Sequence, residues 1–236
     1  MQLFYHPEIN ETTDSFFFDK EESRHIVKVM RKSEGDTLFV TNALGFMFKC
    51  KVKLPSDNKC LMQVESFEKI ATRNYALHMA VAPTKMNERF EWFLEKATEI
   101  GVTEITPLIC DHSERKNIKS DRFEKIILSA MKQSIQCYLP KLNEAIPFSE
   151  FIKTSRPGTL CIAHCEETDR KSFKQILKPG LDLTVLIGPE GDFSNKEITL
   201  ALQNNYIPVS LGSTRLRTET AAIAACHSAA FINETL

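Results

Sequence analysis

Apolar and polar positions keep one rhythm up to residue 70 and another beyond residue 74. In the first stretch, short runs alternate with a period of two. Gln2–Tyr5 and Ser15–Phe18 read as strands, and Thr37–Thr41 as another before a turn at Asn42–Gly45. Phe46, Phe48, Cys50, Val52 and Leu54 then alternate with Lys49, Lys51 and Lys53, which predicts a half-buried strand. Pro55–Asn58 turns the chain into a further strand, Cys60–Phe67. One helix interrupts this series. Asp19 starts it with Glu22 as partner, Ile26, Val29 and Met30 form its apolar face, and Arg24, Lys28, Arg31 and Lys32 point outward. Several short strands with one helix predict a small barrel over residues 1–70.

Residues 71–74 form the predicted boundary, and strands alternate with helices over 75–236. Tyr75–Ala82 is a strand closed by Pro83. Asn87–Ile100 is a helix with Phe90, Phe93, Leu94 and Ala97 on one face and Gly101 as its stop. Glu104–Cys110 is the next strand. Ser120 caps a long helix carrying Phe123, Ile126, Ile127, Ala130 and Met131, which ends before Pro140, and Thr159–Cys165 is a strand. Leu183, Val185, Leu186 and Ile187 predict a buried parallel strand that stops at Gly188-Pro189-Glu190-Gly191, because Pro189 donates no hydrogen bond. Ser194 caps a helix with Glu197 three residues on, and Ile207–Leu211 is the next strand. Gly212 then opens a loop that runs to Arg217-Thr218-Glu219-Thr220, ahead of a helix of small residues from Ala221. Alternation of this kind predicts an α/β domain with a parallel sheet covered on both faces. Two glycine-bearing loops at the carboxyl ends of successive strands are where such sheets hold ligands; on composition alone they also read as two surface turns.

Composition narrows the class. Apolar residues make up 42% of the 236 positions and charged residues 26%, the balance of a soluble globular protein. No apolar run approaches the roughly 18 residues of a membrane span, and the first residues lack the features of a signal peptide. Seven cysteines with no Cys-x-x-Cys spacing predict reduced core thiols in the cytoplasm and no metal site. The net charge is −1, but Arg24 to Lys59 holds eight basic against three acidic residues, a local +5. Such a patch positions a polyanion on an otherwise neutral molecule, or is simply a solvated face.

Five stretches occur together in order. Tyr5-His6-Pro7 comes first, followed by Val29-Met30-Arg31 with Gly35-Asp36, and by Lys96 to Val102 with Pro107. Ile187 to Gly191 is next, and Leu211-Gly212 leads into Leu216-Arg217-Thr218-Glu219-Thr220-Ala221. This set resembles the SPOUT superfamily of RNA methyltransferases, and more closely its RsmE family, which methylates N3 of a uridine in 16S ribosomal RNA. The resemblance implies a trefoil-knotted methyltransferase domain over 75–236 and a PUA-like RNA-docking barrel over 1–70. It also implies S-adenosylmethionine as methyl donor and a homodimer acting on 16S ribosomal RNA or the small ribosomal subunit. The closing helix, with Ile223, Ala224, His227 and Phe231, supplies either a dimer interface or core.

Carried over residue by residue, the resemblance assigns the donor to Ala163 and His164, to Leu186, Ile187, Gly188, Pro189, Glu190 and Gly191, and to Leu211, Gly212, Leu216, Thr218 and Ala221. Glu190 alternatively caps its own turn. Arg217 and Glu219 are the implied catalytic residues. Uracil N3 is a poor nucleophile until its proton leaves, and an arginine fork offers paired donors to the resulting anion. Arg217 alternatively pairs with Glu219. His164, His112 and Glu219 are the candidate bases, although a lone histidine at a strand end is more often structural. Arg24, Lys28, Arg31, Lys32, Arg115 and Gln133 are the implied RNA contacts. Three departures from the family pattern stand out. Asp192 replaces a glycine, Thr214 stands where an arginine is usual, and the stretch from Gln133 to Pro140 lacks two arginines, with Gln136 and Tyr138 in their places. Two other functions share these features: ribose methylation of transfer RNA, and RNA binding without catalysis.

Overall fold

The computed structural model describes residues 1–116, 118, 120–166 and 169–234. Its contacts divide the chain into two compact units, Met1–Thr72 with Met131–Leu139, and Arg73–Ala130 with Pro140–Leu236.

The first unit is a curled five-stranded sheet, in the order β1 (Leu3–Tyr5), β3 (Thr37–Thr41), β4 (Phe46–Leu54), β5 (Leu61–Lys69) and β2 (Ser15–Phe17). Side chains join its two edge strands. The rings of Phe4 and Phe18 lie 5.8 Å apart, and a His6 ring nitrogen is 3.2 Å from the Phe17 carbonyl oxygen. Phe48, Cys50 and Val52 point into the core, as the alternation predicts. Leu54 does not: it is 54% exposed, because the β4–β5 pairing slips between Val52 and Leu54 and takes the last residue out of phase. Val29 is a second correction. After the helical turn α1 (Lys20–Arg24), capped by Asp19, the chain widens into a π-helical turn over His25–Val29, in which the Met30 N–H donates to the His25 carbonyl. The extra residue rotates the following face, so Val27 packs on the core and Val29 is 69% exposed. Met131–Leu139 joins this unit through backbone hydrogen bonds from Gly45 to Cys137 and from Leu139 to Ala43. The Tyr138 hydroxyl donates to Ile70 O at 2.9 Å, across a backbone where Gly45 has φ +94° and leaves no room for a Cβ.

The second unit carries a parallel sheet in the order β11 (Lys171–Ser172), β13 (Ile207–Ser210), β10 (Thr159–Ala163), β12 (Leu183–Ile187), β6 (Leu77–Val81), β7 (Glu104–Ile109) and β8 (Lys141–Leu142), with β9 (Ile146–Pro147) also on β7. Strand β12 is buried throughout, between β10 and β6. One apolar cluster brings α2 (Asn87–Ile100), α3 (Ser120–Gln133) and α7 (Thr218–Ile232) onto the sheet, and includes Phe173 of the short helix α5 (Phe173–Ile176). A second gathers α4 (Phe148–Phe151) and α6 (Asn195–Gln203) around Leu186, Phe193 and Ile198. Local signals set the ends of these helices. Gly101 stops α2 in the left-handed region, and Ser194 and Glu197 form a reciprocal capping box on α6. After β13, on the far side of β10, α7 returns to pack on β12, β6 and α2. A parallel sheet with helices on both faces is the architecture the resemblance implies for this domain.

Six of the cysteines are buried and Cys165 is exposed. Burial pushes the thiols of Cys50 and Cys161 up to about 12, so they stay protonated and unreactive.

His78 on β6 is buried, with Nε2 2.7 Å from Thr106 Oγ1. Burial pushes its imidazole down to about 4, against the pull of Glu104. Folding therefore favours the neutral ring. That stability is full above the ordinary histidine value of 6.5 and is lost as pH falls toward 4. The unfolding temperature should drop over this interval, and drop less in His78→Gln; parallel curves would contradict the assignment.

Candidate functional site

The loops that follow β10, β12 and β13 converge at one end of the sheet around a cleft of about 440 Å3. Two of these loops open on a residue that does not continue a strand: Pro189 lacks an amide proton, and Gly212 adopts φ +151°. The loops are tied to one another. Thr218 Oγ1 donates to the Gly188 carbonyl at 3.0 Å, joining the second loop to the third at the start of α7. Asp192 Oδ2 accepts the Cys165 N–H at 2.7 Å, joining the first to the second. Two more ties come from the loops after β6 and β7. Glu190 Oε1 accepts the Lys85 N–H at 3.0 Å. His112 Nδ1 lies 3.0 Å from both the Gly191 and Asp192 carbonyls, so it carries the proton and donates.

Most of the residues expected to hold the donor line this cleft: Ala163, His164, Ile187, Gly188, Pro189, Glu190, Leu211, Gly212, Leu216, Thr218 and Ala221. Two stand outside the lining. Leu186 alternates to the other face of β12, into the cluster with Phe193 and Ile198. Gly191 backs onto His112, where a Cβ would come within 3.1 Å of the histidine Cβ. Arg217 lines the cleft and is exposed at the N-cap of α7. Glu219, the alternative partner of Arg217, lies in the first turn of that helix, buried, 3.8 Å from Arg89 Nε. One Glu219 oxygen, Oε2, is buried with no hydrogen-bond partner. Burial lowers the pKa of His164, so its ring is neutral at physiological pH.

Arg89 and Arg170, which no sequence motif marked, also line the cleft. Arg89 reaches it because α2 packs on α7, and no local pattern announces a contact across that distance in the chain.

The chain from residue 71 to 230 matches the family model described as RNA methyltransferase domain, and residues 18–65 match RNA methyltransferase PUA domain. The ribosomal RNA small subunit methyltransferase E of Buchnera aphidicola subsp. Acyrthosiphon pisum is 31% identical over 90% of this chain and 86% of its own length. The chain belongs to the ribosomal RNA small subunit methyltransferase E family. A probable rRNA-methyltransferase from Porphyromonas gingivalis superposes with TM-score 0.91 at 38% identity, over 99% of this chain and 98% of that one. A Legionella pneumophila methyltransferase solved with the bound cofactor SAM gives TM-score 0.84 at 27% identity, over 95% and 94% of the two chains.

Methyltransferase E relatives thus match this chain across both units. In the first unit Arg24, Lys28, Arg31 and Gln133 are exposed and Lys32 is half-buried. Lys28 Nζ lies 3.3 Å from Asp57, and Arg31 sits at φ +54°. In the second, Arg115 is half-buried. Among the described residues no cluster of His, Cys, Asp and Glu is arranged to hold a metal ion, and no helix is long and apolar enough to cross a membrane.

Proposed function

We propose that the three-loop cleft binds S-adenosylmethionine and that the enzyme methylates N3 of a uridine in 16S ribosomal RNA. The chain's place in the methyltransferase E family supports an S-adenosylmethionine-dependent ribosomal RNA methyltransferase. The observation that carries the residue-level reading is the convergence of both glycine-bearing loops and Arg217 on one cleft. The chemistry of the lining fits the donor. Backbone amides and carbonyls at Gly188 and Gly212 suit close approach by an adenosine, and the volume of about 440 Å3 lies within the range of small-molecule sites.

When bound, the donor supplies an activated methyl carbon on a sulfonium. The protein has to place uracil N3 in line with that carbon and to stabilise the anionic ring once the proton leaves. Arg217 suits the second task, as a permanently charged fork at the mouth of the cleft. Of the three candidate bases only His164 lines the cleft, and its neutral ring is in the proton-accepting form. His112 uses its Nδ1 proton to hold the loop, and Glu219 faces Arg89.

The same reading includes a cytoplasmic homodimer. Phe231 is 69% exposed and stacks on His227 at 6.0 Å on the outer face of α7, where a second copy would cover both. The activity is tested by incubating the enzyme with methyl-labelled donor and unmodified small subunits, then digesting the RNA to nucleosides for mass spectrometry. Labelled 3-methyluridine is expected; label on a ribose, or none, would sink the proposal.

A further inference from the structure

We propose that Asp192 fits the cleft to a cationic donor, ranking the sulfonium form above the neutral thioether that remains after methyl transfer. The proposal rests on the donor reading above and deepens it. Asp192 occupies the position to which the resemblance gives glycine, and its φ of +62° shows why glycine suits the turn. A side chain there carries a strain cost that asparagine and aspartate bear best. The carboxylate is held on two sides. Oδ2 accepts the Cys165 N–H at 2.7 Å and Oδ1 accepts the Phe193 N–H at 2.8 Å. These bonds fix the charge in the lining without neutralising it.

The charge around it gives the position its meaning. Four arginines line the cleft, Arg89, Arg170, Arg215 and Arg217, against two acids, Glu190 and Asp192. Glu190 is exposed and bonded to the Lys85 amide. Arg89 is offset by Glu219. The remaining guanidiniums oppose any cation that enters, and Asp192 is the half-buried carboxylate in the lining that offsets them. A sulfonium gains from that charge and a thioether does not, so Asp192 favours loading of the donor and release of the product.

Calorimetric titration of the full chain with S-adenosylmethionine and with S-adenosylhomocysteine tests this in the wild type, Asp192→Asn and Asp192→Gly. Removing one charge at close range should weaken the donor about tenfold and the thioether by less than about twofold. Equal weakening of both ligands would mean that Asp192 only holds the loops, and would overturn the proposal; so would unchanged affinity for both. Asp192→Gly relieves the backbone strain and supplies a second, independently folding variant. A wild type that binds neither ligand would overturn the donor reading itself, whereas a wild type that binds both, with variants that keep its ratio, would overturn this inference alone.

Discussion

Arg217→Ala should lower methyl transfer by about 10²- to 10³-fold, the usual effect of removing one donor that stabilises a developing anion. Donor binding should remain measurable by calorimetry. The reason lies in where the side chain stands. Among the described residues no ion pair engages its guanidinium, since Glu219 faces Arg89. It lines the cleft from the N-cap of α7, where its side chain makes no capping hydrogen bond. Arg217→Lys keeps the charge but loses the planar fork, so it should recover only part of the rate. Wild-type turnover in the alanine variant would remove Arg217 from the chemistry.

Thr218→Val should destabilise the fold by about 1–3 kcal/mol, because the buried Gly188 carbonyl loses the hydroxyl that donates to it. The same change should weaken donor binding, since that bond closes the second loop onto the third. Valine keeps the volume of threonine, so packing alone should not respond. Thr218→Ser restores the hydroxyl and should restore both properties. Urea unfolding and donor titration on the three proteins read the two effects separately. If valine behaves like threonine in both, the loops are held by something else.

The features most legible in the sequence were those written locally. Gly188, Pro189 and Gly212 mark strand ends by backbone chemistry alone, and the apolar face of Asn87–Ile100 with Gly101 behind it reproduces α2 residue for residue. Ser194 with Glu197 announces the cap of α6 in the same way. What escaped depended on geometry that no short window contains. A π-helical turn exchanged Val27 for Val29, and a slipped ladder turned Leu54 outward. Arg89 entered the cleft by packing of α2 on α7, and Met131–Leu139, which starts in the last turn of α3, joined the first unit although that helix begins in the second. The short elements β8, β9, β11, α4 and α5 span two to four residues each, too few for a period to show. Arg217 was legible as a residue, with pairing to Glu219 left open as an alternative. The alternative pairing with Glu219 is not formed, because residues two apart at a helix start do not face each other, and the first turn of α7 carries Glu219 toward Arg89.

A crystal of the enzyme soaked with S-adenosylmethionine tests the central claim most directly. The account predicts the nucleotide between Gly188–Glu190, Leu211–Leu216 and Ala163–Cys165, with its methyl group open toward Arg217. A second cavity, of about 470 Å3, lies in the same unit beside His78 and Asn143. Nucleotide bound there, with the three loops left empty, would contradict the account.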